Sequence, residues 1–260
     1  MSAEPTANAP KILVENIGKH FQTERGELHV LDDISLEVAD GETVAIVGPS
    51  GCGKSTLLNI VGGFIEPAGG EVTIDGERVT GPDPRRIFVF QERGVFPWLT
   101  VEQNIGFGLF RQGEAEKRDR VAHYVKLVGL GGFERSYPRE LSGGMKQRLE
   151  VARALAVNPD VLYLDEPFGA LDSITRLQMR RELLRIWQAE KKTILFVTHN
   201  VEEAVFLGDR CCVLSRHPGR VKAMVPIPIP RSQRTWKLLA SEPAFDATRQ
   251  HVLKLVRAEV

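Results

Sequence analysis

Two kinds of apolar pattern divide the chain. Segments 12–17 and 34–38 alternate apolar with polar residues, which predicts half-exposed antiparallel strands. Segment 72–79 resembles them and carries Asp75-Gly76, a hairpin-type turn. Elsewhere the apolar runs are short and nearly continuous, at Thr43–Val47, 161–164, Thr193–Val197 and 211–214. Strands covered on both faces, as in a parallel sheet flanked by helices, have this composition.

Helical signals lie between these runs. Thr100-Val101-Glu102-Gln103 has the form of a capping box. Val121, Tyr124, Val125 and Val128 recur at spacings of three and four, and Gly129, Gly131 and Gly132 end the run. Ser173–Glu190 offers Leu177, Leu184, Ile186 and Trp187 for a buried face, and Asn200 with Glu203 caps a further helix. Segments 67–70 and 81–84 are loops. The expected fold is α/β: a core with a mainly parallel sheet from about 40–90 and 155–225, which the G-x-x-x-x-G-K-[ST] run at 48–56 marks as a P-loop NTPase core, an N-terminal antiparallel β portion, and a helical insertion over about 91–155. Residues 1–225 make one domain in this reading. Residues 226–260 form an extended arm, beginning at Pro226-Ile227-Pro228-Ile229-Pro230, and a short terminal helix.

The strand at Thr43–Val47 runs into Gly48-Pro49-Ser50-Gly51-Cys52-Gly53-Lys54-Ser55-Thr56, which satisfies G-x-x-x-x-G-K-[ST] between a strand and a helix. Gly48, Gly51 and Gly53 let successive N–H groups point into one concavity, and the helix N-terminus adds positive potential where phosphates lie. Lys54 supplies a full charge for the β and γ phosphates, and Ser55 a hydroxyl for Mg²⁺. A nucleotide site follows. Cys52, beside Lys54 and a helix N-terminus, sits where a thiol pKa can fall, or is only a small side chain at a tolerant position. Its alkylation is expected to block nucleotide binding through bulk.

Three further apolar runs end in polar groups suited to that site. Asp165 fits a direct or indirect Mg²⁺ ligand, and Glu166 the group that orients or deprotonates an attacking water. His199, after the strand Thr193–Val197, either caps the next helix or reaches the γ-phosphate and steadies Glu166. Gln91, after Phe88-Val89-Phe90, can reach Mg²⁺ or the water.

Charge and cysteine content narrow the partners. Lys plus Arg and Asp plus Glu both number 34, so the chain lacks the basic excess of nucleic-acid binders. Three cysteines, two of them adjacent, imply no disulfide framework and a reducing compartment. There is no run of 18 apolar residues, and residues 1–10 include Glu4 but no Lys or Arg, unlike an ordinary signal peptide. Any work at a membrane is then peripheral.

Leu141-Ser142-Gly143-Gly144-Met145-Lys146-Gln147-Arg148 places a second glycine pair at a helix start, with 145–156 helical. Alone this is a common cap. Together with residues 48–56, Gln91, Asp165, Glu166, Asp172 and His199, it resembles the ATP-binding subunit of ABC transporters over about residues 12–220. The resemblance implies a head-to-tail pair of ATPase subunits, identical or related. ATP lies between the phosphate loop of one and Ser142, Gly143 and Gly144 of the other, with Asp172 coupling the two sites. It implies that Phe21, after the first strand, stacks on adenine, and that ATP and Mg²⁺ are the cofactors.

The implied partners are integral membrane permease subunits and, indirectly, an extracytoplasmic solute-binding protein, with no nucleic acid. The implied location is the cytoplasmic face of the cell (inner) membrane. Segments 91–101, 107–109 and 213–220 resemble the importer branch for nitrate, sulfonates or taurine. Phe96, Pro97 and Trp98 either grip a permease helix or pack inside the insertion. The chain length leads to the expectation that the C-terminal regulatory β-domain of many sugar and polyamine importer ATPases is lacking. A soluble ABC ATPase of translation or DNA repair is the alternative; those usually carry two motif sets or a long coiled-coil insertion. A P-loop kinase or GTPase would leave residues 142–144 unexplained.

Overall fold

The computed structural model describes residues 9–24, 26–90, 94–169, 173–234 and 242–258. Strands β1 (Ile12–Thr23), β2 (Gly26–Val38), β4 (Gly69–Ile74) and β5 (Glu77–Arg78) form an antiparallel sheet in the order β2-β1-β4-β5. Strands β3 (Thr43–Val47), β6 (Arg86–Val89), β7 (Val161–Asp165), β8 (Thr193–Val197), β9 (Arg210–Leu214) and β10 (Val221–Pro226) form the second sheet. Its order is β10-β9-β3-β8-β7-β6, and every pairing is parallel except β10 with β9. Helices α1 (Lys54–Val61), α2 (Val101–Gly106), α3 (Glu114–Leu127), α4 (Gly143–Ala156), α5 (Ser173–Glu190), α6 (Val201–Leu207) and α7 (Pro243–Arg257) complete the described elements.

The continuous apolar runs have the cause expected of them. Along β7, Leu162 and Leu164 face one core with α4, α5 and α6, while Val161 and Tyr163 face another with α1 and the antiparallel sheet. The adjacent Cys211 and Cys212 split in the same way, one into each core. Burial pushes both thiols up, so neither is a ready nucleophile.

Local signals read from sequence are realised at several ends. The Thr100 hydroxyl accepts from Gln103 N at 3.3 Å while Thr100 N donates to the Gln103 amide oxygen at 2.9 Å. Asp75 and Gly76 have φ of 53° and 76°, the positive values that a tight hairpin turn requires. Helix α4 starts at Gly143, earlier than residue 145, because the Ser142 hydroxyl caps it by accepting from Met145 N.

Two expectations change. Strands β1 and β2 extend well beyond 12–17 and 34–38, pairing His20 with His29 and Phe21 with Leu28. Those residues are largely exposed on both sides, so no alternation marks them as strand. The C-terminal segment is also more integrated than an arm and a short helix. Ile227 and Ile229 are buried, and the 15-residue α7 places Phe245 and Val252 in the core. Arg231 donates to the Thr43 hydroxyl at 2.9 Å and pairs with Asp209 at 3.0 Å, where β3 and β9 begin. Arg234 is 4% exposed and donates to the carbonyls of Ile229 (2.8 Å), Gly208 (2.6 Å) and Phe206 (3.1 Å). Prolines and charges in the sequence hide this role, because the charges are spent on backbone carbonyls, the Thr43 hydroxyl and Asp209.

Arg234→Met removes a buried donor from three backbone carbonyls and should lower the unfolding free energy by about 2–4 kcal/mol in urea titrations. Arg78→Met, on an exposed ion pair, should change it by less than about 0.5 kcal/mol.

Candidate functional site

Parallel register brings the chemistry to one edge. Val197 lies opposite Ile46 of β3 and Asp165 of β7, so β3, β8 and β7 end at one level. The carboxyl edge of such a sheet is where its ligands bind. Residues 48–53 leave the buried β3 there and turn into α1. Gly53 has φ of 93°, and a Cβ on it would come within 2.6 Å of Leu31 Cδ2, so only glycine fits between the loop and β2. Pro49 is half-buried, Ser50 and Gly51 are exposed, and Thr56 is half-buried on the first turn of α1.

Lys54 is buried within this loop and donates from Nζ to the carbonyls of Gly48 (3.1 Å) and Pro49 (2.9 Å). The Ser55 hydroxyl donates to Asp165 Oδ1 at 3.0 Å, bridging α1 to the end of β7. Burial raises the Asp165 pKa and the Glu166 charge adds to the rise, while the Ser55 hydroxyl and the Lys54 ammonium oppose it. Glu166 has φ of 47°, left-handed backbone for a non-glycine residue. Its N–H donates to Val197 O and its carbonyl accepts from Gly169 N, both at 3.0 Å, which hold that turn. One Glu166 carboxylate oxygen lies 3.2 Å from His199 Nδ1. Lys54, Ser55, Asp165, Glu166 and His199 thus form one cluster.

The other expected residues are placed differently. Ser142 and Gly144 line a separate concavity of about 180 Å³ with Arg148, Thr175 and Gln178, and Gly143 lies between them at the start of α4. A Cβ on Gly144 would approach Thr175 Cγ2 to 2.7 Å, so glycine lets α4 and α5 touch here. Phe21 lies within β1, not after it, is 37% exposed, and has the Lys19 ammonium 5.1 Å from its ring centre. Gln91 and Asp172 lie outside the described residues. Of the two readings of Cys52 one stands: it is 1% exposed, and burial raises its pKa against the pull of Lys54. The small-side-chain reading holds, not the activated thiol.

A family model described as "ABC transporter" matches residues 31–169, more than half of the chain. The chain belongs to the ABC transporter family. It is an ABC-type ATPase with the family's fold. It is 45% identical over 247 residues to a putative ATP-binding protein of Brucella abortus, covering 94% of this chain and 92% of that protein. It is 45% identical over 226 residues to the aliphatic sulfonates import ATP-binding protein SsuB of Bacillus cereus, covering 86% and 90%. Among solved structures, the ATP-binding cassette MJ0796, a dimer in a post-hydrolysis state bound to ADP and Pi, matches with a TM-score of 0.72 and 32% identity. That match covers 84% of this chain and all of the cassette.

Sequence reasoning missed two supports of this ABC ATPase site. The turn before β10 binds Gly219 to β2, with Gly219 N donating to Val30 O and Asp32 N to Gly219 O, both at 2.9 Å, beside the phosphate loop. A Pro-Gly pair was its only signal. Glu150 on α4 is 6% exposed and accepts from Gly94 N at 3.1 Å, close after Gln91 in the chain. Burial pushes Glu150 up to about 7 against the opposing Gly94 hydrogen bond and Arg153 charge. A helical Glu between apolar neighbours gives no hint of this.

Because the folded pKa lies above the ordinary 4.5, the Glu150 contribution to stability is full below about pH 4.5 and is lost as pH rises through about 7. Glu150→Gln keeps the acceptor and removes the charge. It should stabilise the protein at pH 8 by on the order of 1–3 kcal/mol and have little effect at pH 4.5, in paired urea titrations.

Proposed function

We propose that this ATPase energises import of a small anion, an aliphatic sulfonate or a related solute such as taurine or nitrate, through separate permease subunits. The observation that carries the reading is the joined cluster of phosphate loop, Ser55–Asp165 and Glu166–His199, in a chain 45% identical to a protein named for sulfonate import. In this reading the protein lies peripherally on the cytoplasmic face of the membrane. No helix among the described residues is long and apolar enough to span one. A solute-binding protein outside the membrane delivers the cargo.

When ATP enters, its phosphates replace the Gly48 and Pro49 carbonyls as partners of Lys54, and the loop N–H groups and the start of α1 surround them. The hard oxygens of Ser55 and Asp165, 3.0 Å apart, would suit Mg²⁺, a cation that prefers oxygen ligands. Bound there, Mg²⁺ supplies charge neutralisation at the phosphates. Glu166 orients the attacking water and takes its proton as the water oxygen bonds to the γ-phosphorus; the bond to the bridging oxygen breaks and ADP leaves with its electron pair. His199 contacts the γ-phosphate and steadies Glu166. Gln91 senses the phosphate end, Phe21 stacks on adenine, and Asp172 links two sites. The Ser142–Gly144 element, of which Ser142 and Gly143 are exposed, completes the site of a second copy, so two chains pair head to tail.

The helical insertion offers the permease its seat. A groove of about 750 Å³ between α2 and α3 is lined by Leu99, Gln103, Phe107, Val121 and Val125. Phe96 is half-buried, its ring centre 4.4 Å from that of Phe107 and 4.7 Å from the Arg153 guanidinium, whereas Trp98 is 68% exposed beside it. In this reading Trp98 is the residue of segment 96–98 that meets the permease.

Glu166→Gln should bind MgATP and accumulate as a dimer in size-exclusion chromatography, with phosphate release at least about 100-fold slower. A variant that stays monomeric at saturating MgATP counts against the shared site. In a strain lacking the gene, uptake of a labelled alkanesulfonate, taurine or nitrate should fall and return with the intact gene but not with Glu166→Gln. Unchanged uptake of all three removes the anion assignment.

A further inference from the structure

His199 stands on a short turn between β8 and α6, and a buried ionic relay grips that turn from behind. Thr198, 1% exposed, donates from its hydroxyl to Glu203 Oε2 at 2.6 Å and accepts from Asn200 N at 3.0 Å. The same hydroxyl thus fixes the backbone on both sides of His199. Glu203, 4% exposed, turns its other oxygen to Arg180, with Nη2 at 2.7 Å and Nε at 3.3 Å. Arg180, 5% exposed on α5, also donates to Glu202 Oε1 at 2.9 Å. Asn200 accepts from the N–H groups of Glu202 and Glu203, which closes the network around the start of α6.

A capped surface turn needs none of this. The Asn200 cap alone satisfies the first N–H groups of α6. Burying a full Arg–Glu pair is costly in desolvation and often no more stable than apolar packing, so its value lies in fixing one arrangement. What it fixes is the main chain of His199, whose own imidazole is 60% exposed and reaches Glu166 at 3.2 Å. An exposed ring on an unanchored turn would sample many positions.

We infer that Arg180 and Glu203, acting through the Thr198 hydroxyl, are positioning residues that hold His199 in register with Glu166 for ATP hydrolysis. The inference rests on the reading of His199 as a contact to the γ-phosphate. The relay also ties His199 to α5, so the turn follows that helix as it moves.

Arg180→Met leaves a bare buried carboxylate and is liable to unfold, so the test uses Thr198→Val, close in shape but without the hydroxyl. Steady-state ATPase kinetics and ADP binding are measured for Thr198→Val, Thr198→Ser, His199→Ala and the Thr198→Val/His199→Ala pair. Thr198→Val should lower kcat by about 10- to 100-fold, with KM and ADP affinity within about two-fold of the parent. Thr198→Ser should restore kcat. In the His199→Ala background the valine should cost nothing more, because its effect passes through His199. A slow His199→Ala beside a fully active Thr198→Val overturns the inference and leaves His199 in its role. An equal loss with and without His199 overturns it too, making Thr198 merely structural. A fully active His199→Ala removes the underlying reading, and the inference with it.

Discussion

A parallel strand buried on both faces cannot carry polar side chains along its length, and the site depends on that constraint. In β3, β7 and β8 nearly every side chain is enclosed, alternating between the helical core and the core beneath the antiparallel sheet. Chemistry is therefore confined to the strand ends. Parallel register then brings several ends to one level, which is why residues more than a hundred positions apart, such as Ser55 and Asp165, share a hydrogen bond. The sheet acts as a ruler, and the reactive groups sit at its edge.

Two neighbouring carboxylates show how finely the edge is set. In continued extended backbone, Asp165 and Glu166 would point to opposite faces. Asp165 keeps the strand's direction and meets Ser55 below α1. Glu166 adopts left-handed backbone, costing about 1–3 kcal/mol, and its side chain meets His199 from the neighbouring strand instead. Hydrogen bonds to Val197 O and from Gly169 N stabilise that turn. One strand end thus supplies two acids in different surroundings, one enclosed beside Lys54 and Ser55 and one beside an exposed imidazole.

The same constraint explains what could be read from the residues alone. Continuous apolar runs at Thr43–Val47 and Thr193–Val197 announced buried strands, and the polar residues that end such runs announced the site. The capping box at Thr100 and the Asp75-Gly76 turn were legible because their chemistry is local. Residues whose meaning depends on distant partners were not. Arg231 and Arg234 look like tail charges, yet they bond the starts of β3 and β9 and the loop after α6. Glu150 and Arg180 occupy helix positions where surface polarity is the ordinary expectation, yet both are buried with partners far along the chain. The outer parts of β1 and β2 were missed for the opposite reason: they pair as strands while burying almost nothing, so no periodicity marks them.

Helix α5 touches both the Ser142–Gly144 turn and the network beneath His199. Thr175, near its start, lies where only a glycine at 144 allows α4 to approach. Arg180, five residues later and about 7.5 Å along the axis, enters the buried network beneath His199. Between them the helix is continuous, with Met179 in the core, and Leu183 and Trp187 beyond Arg180 seat it in the same core. A helix so packed moves as a body and does not bend within a turn or two. The turn at Ser142 and the turn bearing His199 are therefore joined by one packed helix within the chain.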